Sequence, residues 1–191
     1  MRKQFTVAIG FTIVTTIIFG LIYPLVVTGL SQLLFPKQAN GSLIVKNGQV
    51  IGSELIGQSF TSDKYFHPRP SNAGSGYDPL SSGGSDLGPT NQALVTRVAQ
   101  DVAKLQQENP GVPIPADMVT SSGSGLDPDI SPASAAFQVA RVAKARGVSE
   151  EQIRRIVAKH TQGRQWGIFG EARVNVLELN LELDESFPVK H

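Results

Sequence analysis

The chain has 191 residues, which supports one domain of ordinary size with an appendage and leaves no room for two large domains. Seventeen Lys and Arg against 16 Asp and Glu leave a formal charge of +1, which argues against a nucleic-acid binder. No cysteine is present, so disulfide scaffolds, thiolate zinc sites, iron–sulfur clusters and thiol nucleophiles are all excluded.

The apolar residues, 40% of the total, are concentrated near the N-terminus. From Gln4 to Pro36, 33 residues pass without an Asp, Glu, Lys or Arg. Within them Phe5–Leu30 (FTVAIGFTIVTTIIFGLIYPLVVTGL) would form a helix about 39 Å long, against a hydrocarbon core of about 30 Å. No A-x-A-like site follows around Lys37–Gly41, so the segment reads as a retained span and not a cleaved signal peptide. Pro24 predicts a kink, and Gly20 one turn earlier removes a side chain where the proline ring would crowd the backbone. Gly10, Gly20 and Gly29, with Tyr23 and Pro24, form the candidate subunit-facing positions of the span. The general abundance of Gly and Pro in membrane helices accounts for the same residues. Arg2 and Lys3 precede the span, and only Lys37 and Lys46 follow it closely, which favours a cytoplasmic N-terminus and an exported C-terminal part. The expected organisation is a cytoplasmic stub and single transmembrane helix over 1–35, then an extracytoplasmic α+β domain over 36–191.

In that second part, Leu43–Ile51 reads as a hairpin with Asn47-Gly48 at its tip, since both central residues of a type I′ turn need positive φ. A long irregular stretch runs from Phe60 to Pro89, where YFHPRP contains Pro68 and Pro70. Nine of the fifteen residues in GSGYDPLSSGGSDLG are Gly or Ser. Three helices follow. The first opens near Pro89 with Thr90 as cap, carries Leu94, Val98, Val102 and Leu105 on one stripe, and ends at Asn109-Pro110-Gly111. The second has Ser131 as N-cap, Pro132 at its first position and Gly147 past its end, with Ala135, Val139 and Val142 facing inward. The third opens with a capping box, Ser149 and Gln152, and turns Ile153, Ile156 and Val157 inward. Last, Arg173–Leu183 (RVNVLELNLEL) alternates like a half-buried strand whose phase changes once near Val176, as at a bulge. Strands at both ends with helices between give a mixed α/β domain of the α+β class.

A search for catalytic chemistry finds little. There is no Walker A loop, G-x-S-x-G elbow or S-x-x-K pair, and none of the histidines, His67, His160 and His191, belongs to H-E-x-x-H. His160 suits the dipole at the end of the third helix, and His67, between Phe66 and Pro68-Arg69, reads as a folding or interface residue. Asp127, Asp129 and Ser131 resemble the opening of a calcium loop, but Pro132 stands where the sharp turn needs Gly, so no metal is expected. The Gly/Ser loops that run into helix starts at Pro89 and Pro132 could offer backbone N–H groups to an anion. Leu80-Ser81-Ser82-Gly83-Gly84 loosely resembles the L-S-G-G-Q signature of ABC ATPases, although a plain turn-rich connection is the better explanation.

Several strings taken together carry a resemblance: Tyr23-Pro24 in the span, FPKQANGSLI from Phe35, GSELIGQSF from Gly52, YFHPRPS from Tyr65, SGGSDLGPTN from Ser82, SGSGLDP from Ser122, QVARVAKARG from Gln138 and RVNVLELNLELD from Arg173. In this order the chain resembles the C subunit of the bacterial Kdp-type potassium-transporting ATPase, with Asp86 and Asp129 departing from that family's usual residues. The resemblance implies an accessory, non-pore and non-hydrolytic subunit of a high-affinity, ATP-driven potassium uptake complex. Its implied partners are a channel-like A subunit, a P-type ATPase B subunit, a small F subunit and the lipid bilayer of the bacterial cell membrane. It also implies a catalytic chaperone that raises the P-type subunit's affinity for ATP, so that ATP would be bound jointly, if at all. The signature loops then become the interface or nucleotide candidates: Tyr65, His67, Arg69, Ser81, Ser82, Gly83, Gly84, Asp86, Ser122, Gly123, Gly125 and Asp127. The rival reading is a tethered exported domain that binds or modifies envelope substrates.

Overall fold

The computed structural model describes residues 2–188, so His191 lies outside the described residues. The chain forms two compact units, Met1–Ile51 and Gly52–His191.

In the first unit, helix α1 (Arg2–Thr15) passes through a π-helical segment (Thr16–Ile22) into α2 (Tyr23–Leu34). The continuous 33-residue helix Arg2–Leu34 is long and apolar enough to cross a membrane. At the proline expected to kink the span, the segment just before it leaves α-helical geometry. Pro24 has no N–H to give to Gly20, and its ring would crowd that carbonyl. The helix widens there, and Tyr23 N–H reaches back five residues to Ile18 O. A Cβ on Gly20 would first meet Thr16 Cγ2, at 3.7 Å. The Thr6 and Thr15 hydroxyls donate to carbonyls four residues earlier, Arg2 O at 3.0 Å and Phe11 O at 2.8 Å, so each is satisfied within its own helix. After α3 (Pro36–Ala39) comes the expected hairpin, β1 (Leu43–Lys46) and β2 (Gln49–Ser53). Asn47 and Gly48 adopt φ of 53° and 78°, as a type I′ tip requires.

The second unit is built on four helices and a small sheet. Helix α4 (Gln92–Glu108) is capped by Asn91, whose side chain accepts from Ala93 N, and not by Thr90. Its apolar stripe is only half-covered, with no buried residue on the helix. Helices α5 (Pro132–Arg146) and α6 (Glu150–His160) form as the caps dictate. Gly147 closes α5 at φ 67°, and the reciprocal Ser149–Gln152 capping box opens α6. Ala135, Val139 and Val142 of α5 and Ile153 of α6 are at most 1% exposed, and a fully buried aliphatic side chain of the larger kind contributes about 1.5–3 kcal/mol.

The C-terminal segment overturns the strand reading. Only Arg173–Asn175 is a strand, β5, and Val176–Ser186 is helix α7. The change of phase near Val176 is a helix start and not a bulge: Asn175 Oδ1 accepts from Glu178 N at 3.1 Å, and the leucines and glutamates beyond it are good helix formers. Val176, Leu179, Asn180 and Leu183 then form the buried stripe. Strand β5 lies between β3 (Asp129–Ile130) and β4 (Thr161–Gln162) in an antiparallel sheet of order β3-β5-β4, with Val174 opposite both Ile130 and Thr161. The α+β class stands, with less strand than expected.

The irregular stretch is fixed to this core by side-chain amides. Asn180 of α7 accepts from Phe66 N at 2.8 Å and returns its Nδ2 to Phe66 O at 3.0 Å. Gln138 of α5 does the same for the next residue, with Oε1 2.7 Å from His67 N and Nε2 3.0 Å from His67 O. Each amide thus pairs with the backbone as a neighbouring strand would, and the Phe66 ring, 0% exposed, enters the core. The start of α5 is held by an anion from within the chain. Asp117, in a short 3₁₀ turn (Ala116–Met118), accepts from Ser131 N at 2.8 Å, Ser131 Oγ at 3.0 Å and Ser134 Oγ at 2.6 Å. Burial by itself raises this carboxyl, but the donors of Ser134 and Ser131 outweigh it and hold the group below its ordinary value.

Two outcomes are expected from urea unfolding of the full chain in detergent, followed by circular dichroism. Asn180→Leu keeps the volume but strands the Phe66 N–H and C=O, so it should cost roughly 2–6 kcal/mol, with Gln138→Leu similar. Asp117→Asn should cost about 1–2 kcal/mol near neutral pH. A depressed folded-state value means the wild-type advantage is complete above the usual carboxylate range and is lost as pH falls below that range through the folded value, so the gap should narrow on acidification below about pH 4.

Candidate functional site

The signature loops meet in two places. Around Tyr65 and His67, two arginines from α5 supply the contacts. Arg146, with a side chain 0% exposed, donates to Lys64 O, Leu183 O and Phe187 O and pairs with Asp184 at 2.9 Å. Its guanidinium lies 5.0 Å from the Tyr65 ring centre, and the Tyr65 hydroxyl donates to the same Asp184 at 2.9 Å. Burial, followed by the bond to Asp184, raises the Tyr65 phenol above its ordinary value.

Arg141 pairs with Glu108 at the end of α4 at 2.9 Å and donates to Asp63 O, Tyr65 O and Gln138 Oε1. It therefore ties α4, α5, the loop and one of the amide clamps through a single planar group. His67 Nε2 lies 3.1 Å from Ser62 O and 3.4 Å from Arg141 Nη1. One nitrogen cannot donate to the first and accept from the second. Arg141 Nη1 already has two carbonyls, so Nε2–H···O=C of Ser62 is the hydrogen bond. Burial, then the Arg141 charge, lowers the imidazole's affinity for a proton, and the ring stays neutral.

The second meeting place joins the two Gly/Ser loops. Arg69 Nη1 pairs with Asp127 Oδ2 at 2.9 Å. The Tyr77 hydroxyl donates to Arg69 O, and burial, followed by the Asp127 charge, keeps that phenol protonated. Ser71 Oγ donates to Gly125 O at 2.6 Å and accepts from Ala73 N and Tyr77 N. Ser82 Oγ and Gly83 N both donate to Ser124 O, at 3.0 and 2.9 Å. Gly84 approaches Gly123 so closely that a Cβ would sit 3.2 Å from Gly123 O. Gly125 lies closer still than Gly84: at φ 67°, a Cβ there would come within 2.7 Å of both Ala73 N and Gly83 O.

Of the candidates, then, Tyr65 and His67 join the α5 arginines, while Arg69, Ser82, Gly83, Gly84, Ser122, Gly123, Gly125 and Asp127 join one another. Ser81 N donates to Asp78 O, leaving its side chain exposed, and Asp86 is exposed at φ 52°. Gly10, Gly20, Tyr23, Pro24 and Gly29 belong to the other unit. In the segments proposed for an anion, Gly83 N is engaged by Ser124 O, Ala93 N by Asn91 and Ser131 N by Asp117. Asp127 and Asp129, read as calcium-like, face Arg69 and Arg173 at 2.9 and 3.1 Å, and burial raises the Asp129 carboxyl despite its partner. Among the described residues, no group of three or more acidic or histidine side chains is gathered in a way that could hold a metal.

A cleft of about 200 Å³ lies beside the loops between Phe60, His67, Arg69, Tyr77 and Lys104. A larger groove of about 650 Å³ runs along Lys104, Glu108, Arg141 and Lys144. Gln138, Asn180, Arg141 and Arg146 escaped the sequence reading. Gln138 did leave a signal: it lies three residues after Ala135 and four before Val142, a polar residue inside an apolar stripe.

A family model described as K+-transporting ATPase, c chain, matches residues 5–185. The chain is similar to the potassium-transporting ATPase KdpC subunit of Koribacter versatilis, 59% identical over 99% of this chain and 98% of that protein. It is likewise similar to the KdpC subunits of Acidobacterium capsulatum, at 56% over 93% and 96% of the two chains, and Rhodopseudomonas palustris, at 54% over 98% and 100%. The match runs through the apolar helix, both loop clusters and the helices that clamp them, and the chain belongs to the KdpC family of K+-transporting ATPase c chains.

Proposed function

We propose that this chain is the accessory, non-hydrolytic scaffold of an ATP-driven potassium uptake complex, anchored by Arg2–Leu34 with its folded unit outside the cell membrane. Family membership makes it a subunit of a K+-transporting ATPase. In this reading the anchor packs on the channel-like subunit, and the folded unit covers that subunit's outer mouth and keeps the ion entrance in shape. The P-type subunit carries ATP hydrolysis, and the small fourth subunit completes the assembly. Any rise in ATP affinity is then transmitted through the membrane subunits, without nucleotide contact with this chain.

The observation that supports a scaffold is how the signature loops are used. Arg69 pairs with Asp127, Ser82 and Gly83 donate to Ser124 O, and Gly125 O accepts from Ser71, so these groups bond within the chain and do not form an open cradle for phosphate. The charges Arg2 and Lys3 at the N-terminal end of the anchor favour the outside placement.

The chain has no cysteine, so Ser81→Cys at an exposed loop position provides a single label. A membrane-impermeant maleimide should modify it in intact cells; labelling only after permeabilisation would put the folded unit inside and overturn the reading. Deleting residues 40–191 while keeping the anchor should abolish high-affinity potassium uptake, and uptake at the normal rate by that truncation would refute the scaffold role.

A further inference from the structure

Between β4 and β5 the chain turns back through Arg164–Glu171, and the tip of that turn is apolar and bare. Trp166, Ile168 and Phe169 are 89%, 72% and 58% exposed, three large hydrophobic side chains within four residues. They do not dangle. Gln165 and Phe169 form an antiparallel bridge, with Gln165 N donating to Phe169 O at 2.8 Å and Phe169 N to Gln165 O at 3.0 Å. Gly167 N donates to Arg164 O and Ile168 N to Gln165 O, both at 3.1 Å. Trp166 and Gly167 are both left-handed, at φ 53° and 75°, and the Trp166 and Phe169 rings meet edge to face at 5.9 Å. A preformed turn thus holds the indole outward.

Three features favour lipid over a protein pocket as the occupant. The amides of Gln165, Gly167, Ile168 and Phe169 are satisfied inside the turn, so the tip can leave water without stranding them. At its base, Arg164 Nη2 contacts both oxygens of Glu171, at 2.8 and 2.9 Å, so the charges there are mutually neutralised and contact rests on apolar area. The chain also carries an apolar helix of membrane-spanning length, which makes a bilayer its standing neighbour. Tryptophan is the residue that prefers the headgroup level of a bilayer, with its ring in the apolar layer and its N–H toward water. We propose that Trp166, Ile168 and Phe169 form a second membrane contact that dips into the headgroup and upper acyl region. This rests on the anchor reading above.

Trp166 is the single tryptophan of the chain, so its fluorescence reports the tip alone. The full chain would be reconstituted in phosphatidylcholine vesicles, alone and in the assembled complex, with part of the lipid brominated high on the acyl chains. The chain should float with the vesicles, its emission should shift to shorter wavelength than in urea, and brominated lipid should quench it where aqueous acrylamide does not. Ile168→Ser with Phe169→Ser keeps the reporter and should lose the bromine quenching while the circular dichroism stays unchanged. Flotation with acrylamide quenching but no bromine quenching would place the tip in water and overturn the proposal. Short-wavelength emission in the complex that neither agent quenches would mean a protein covers the tip, which also overturns it. Failure to float would remove the anchor reading and this proposal together.

Discussion

Two carboxamides set the terms for everything in the folded unit. Gln138 and Asn180 sit at the centre of apolar helix stripes, where a polar side chain is costly unless every donor and acceptor is matched. The match is the backbone of Phe66 and His67, an irregular segment that has no strand of its own to pair with. Neither partner makes sense alone. The amides would be unsatisfied without the loop, and the loop would bury bare peptide groups without the amides. Dependence of this kind makes an intrinsically formless segment as determinate as a strand.

From that fixed point, order spreads outward through planar cations. Arg141 and Arg146 each gather several carbonyls from the loop and from the end of α7, and each also holds a carboxylate from another element. Arg69 does the same at lower burial for the second loop through Thr120, Ser121 and Asp127. A unit with only seven residues in its β3-β5-β4 sheet thereby closes its backbone bonding with side chains. The glycines then allow the second set of turns to lie directly against the first, Gly125 more tightly than Gly84.

Much of this was legible in the residues, and the failures have physical causes. Caps and turns are local, so the Asn47-Gly48 tip, the Ser131–Gly147 limits of α5 and the Ser149–Gln152 box could be read from a few neighbouring positions. The last element misled because Leu177, Leu179, Leu181 and Leu183 alternate as a strand would, while helix faces repeat at three and four residues. Asn175 with Glu178 was the competing local signal, and tertiary burial of Val176, Leu179 and Leu183 decided the matter. In the loops, the pairing of Arg69 with Asp127 spans 58 positions and that of Phe66 with Asn180 spans 114. No local pattern reports such partners. For the same reason no neighbouring residue showed that Gly83 N is taken by Ser124 O, 41 positions away.

The widened segment Thr16–Ile22 has a geometric consequence for the anchor. It inserts about one residue into the helical count, which rotates everything beyond Tyr23 by roughly 100° relative to an unbroken helix. Gly10 and Gly29 therefore do not fall on the compass bearing that a 3.6-residue wheel assigns them. The two halves of this long helix do not share one face, and any helical-wheel map of it must be drawn in two pieces.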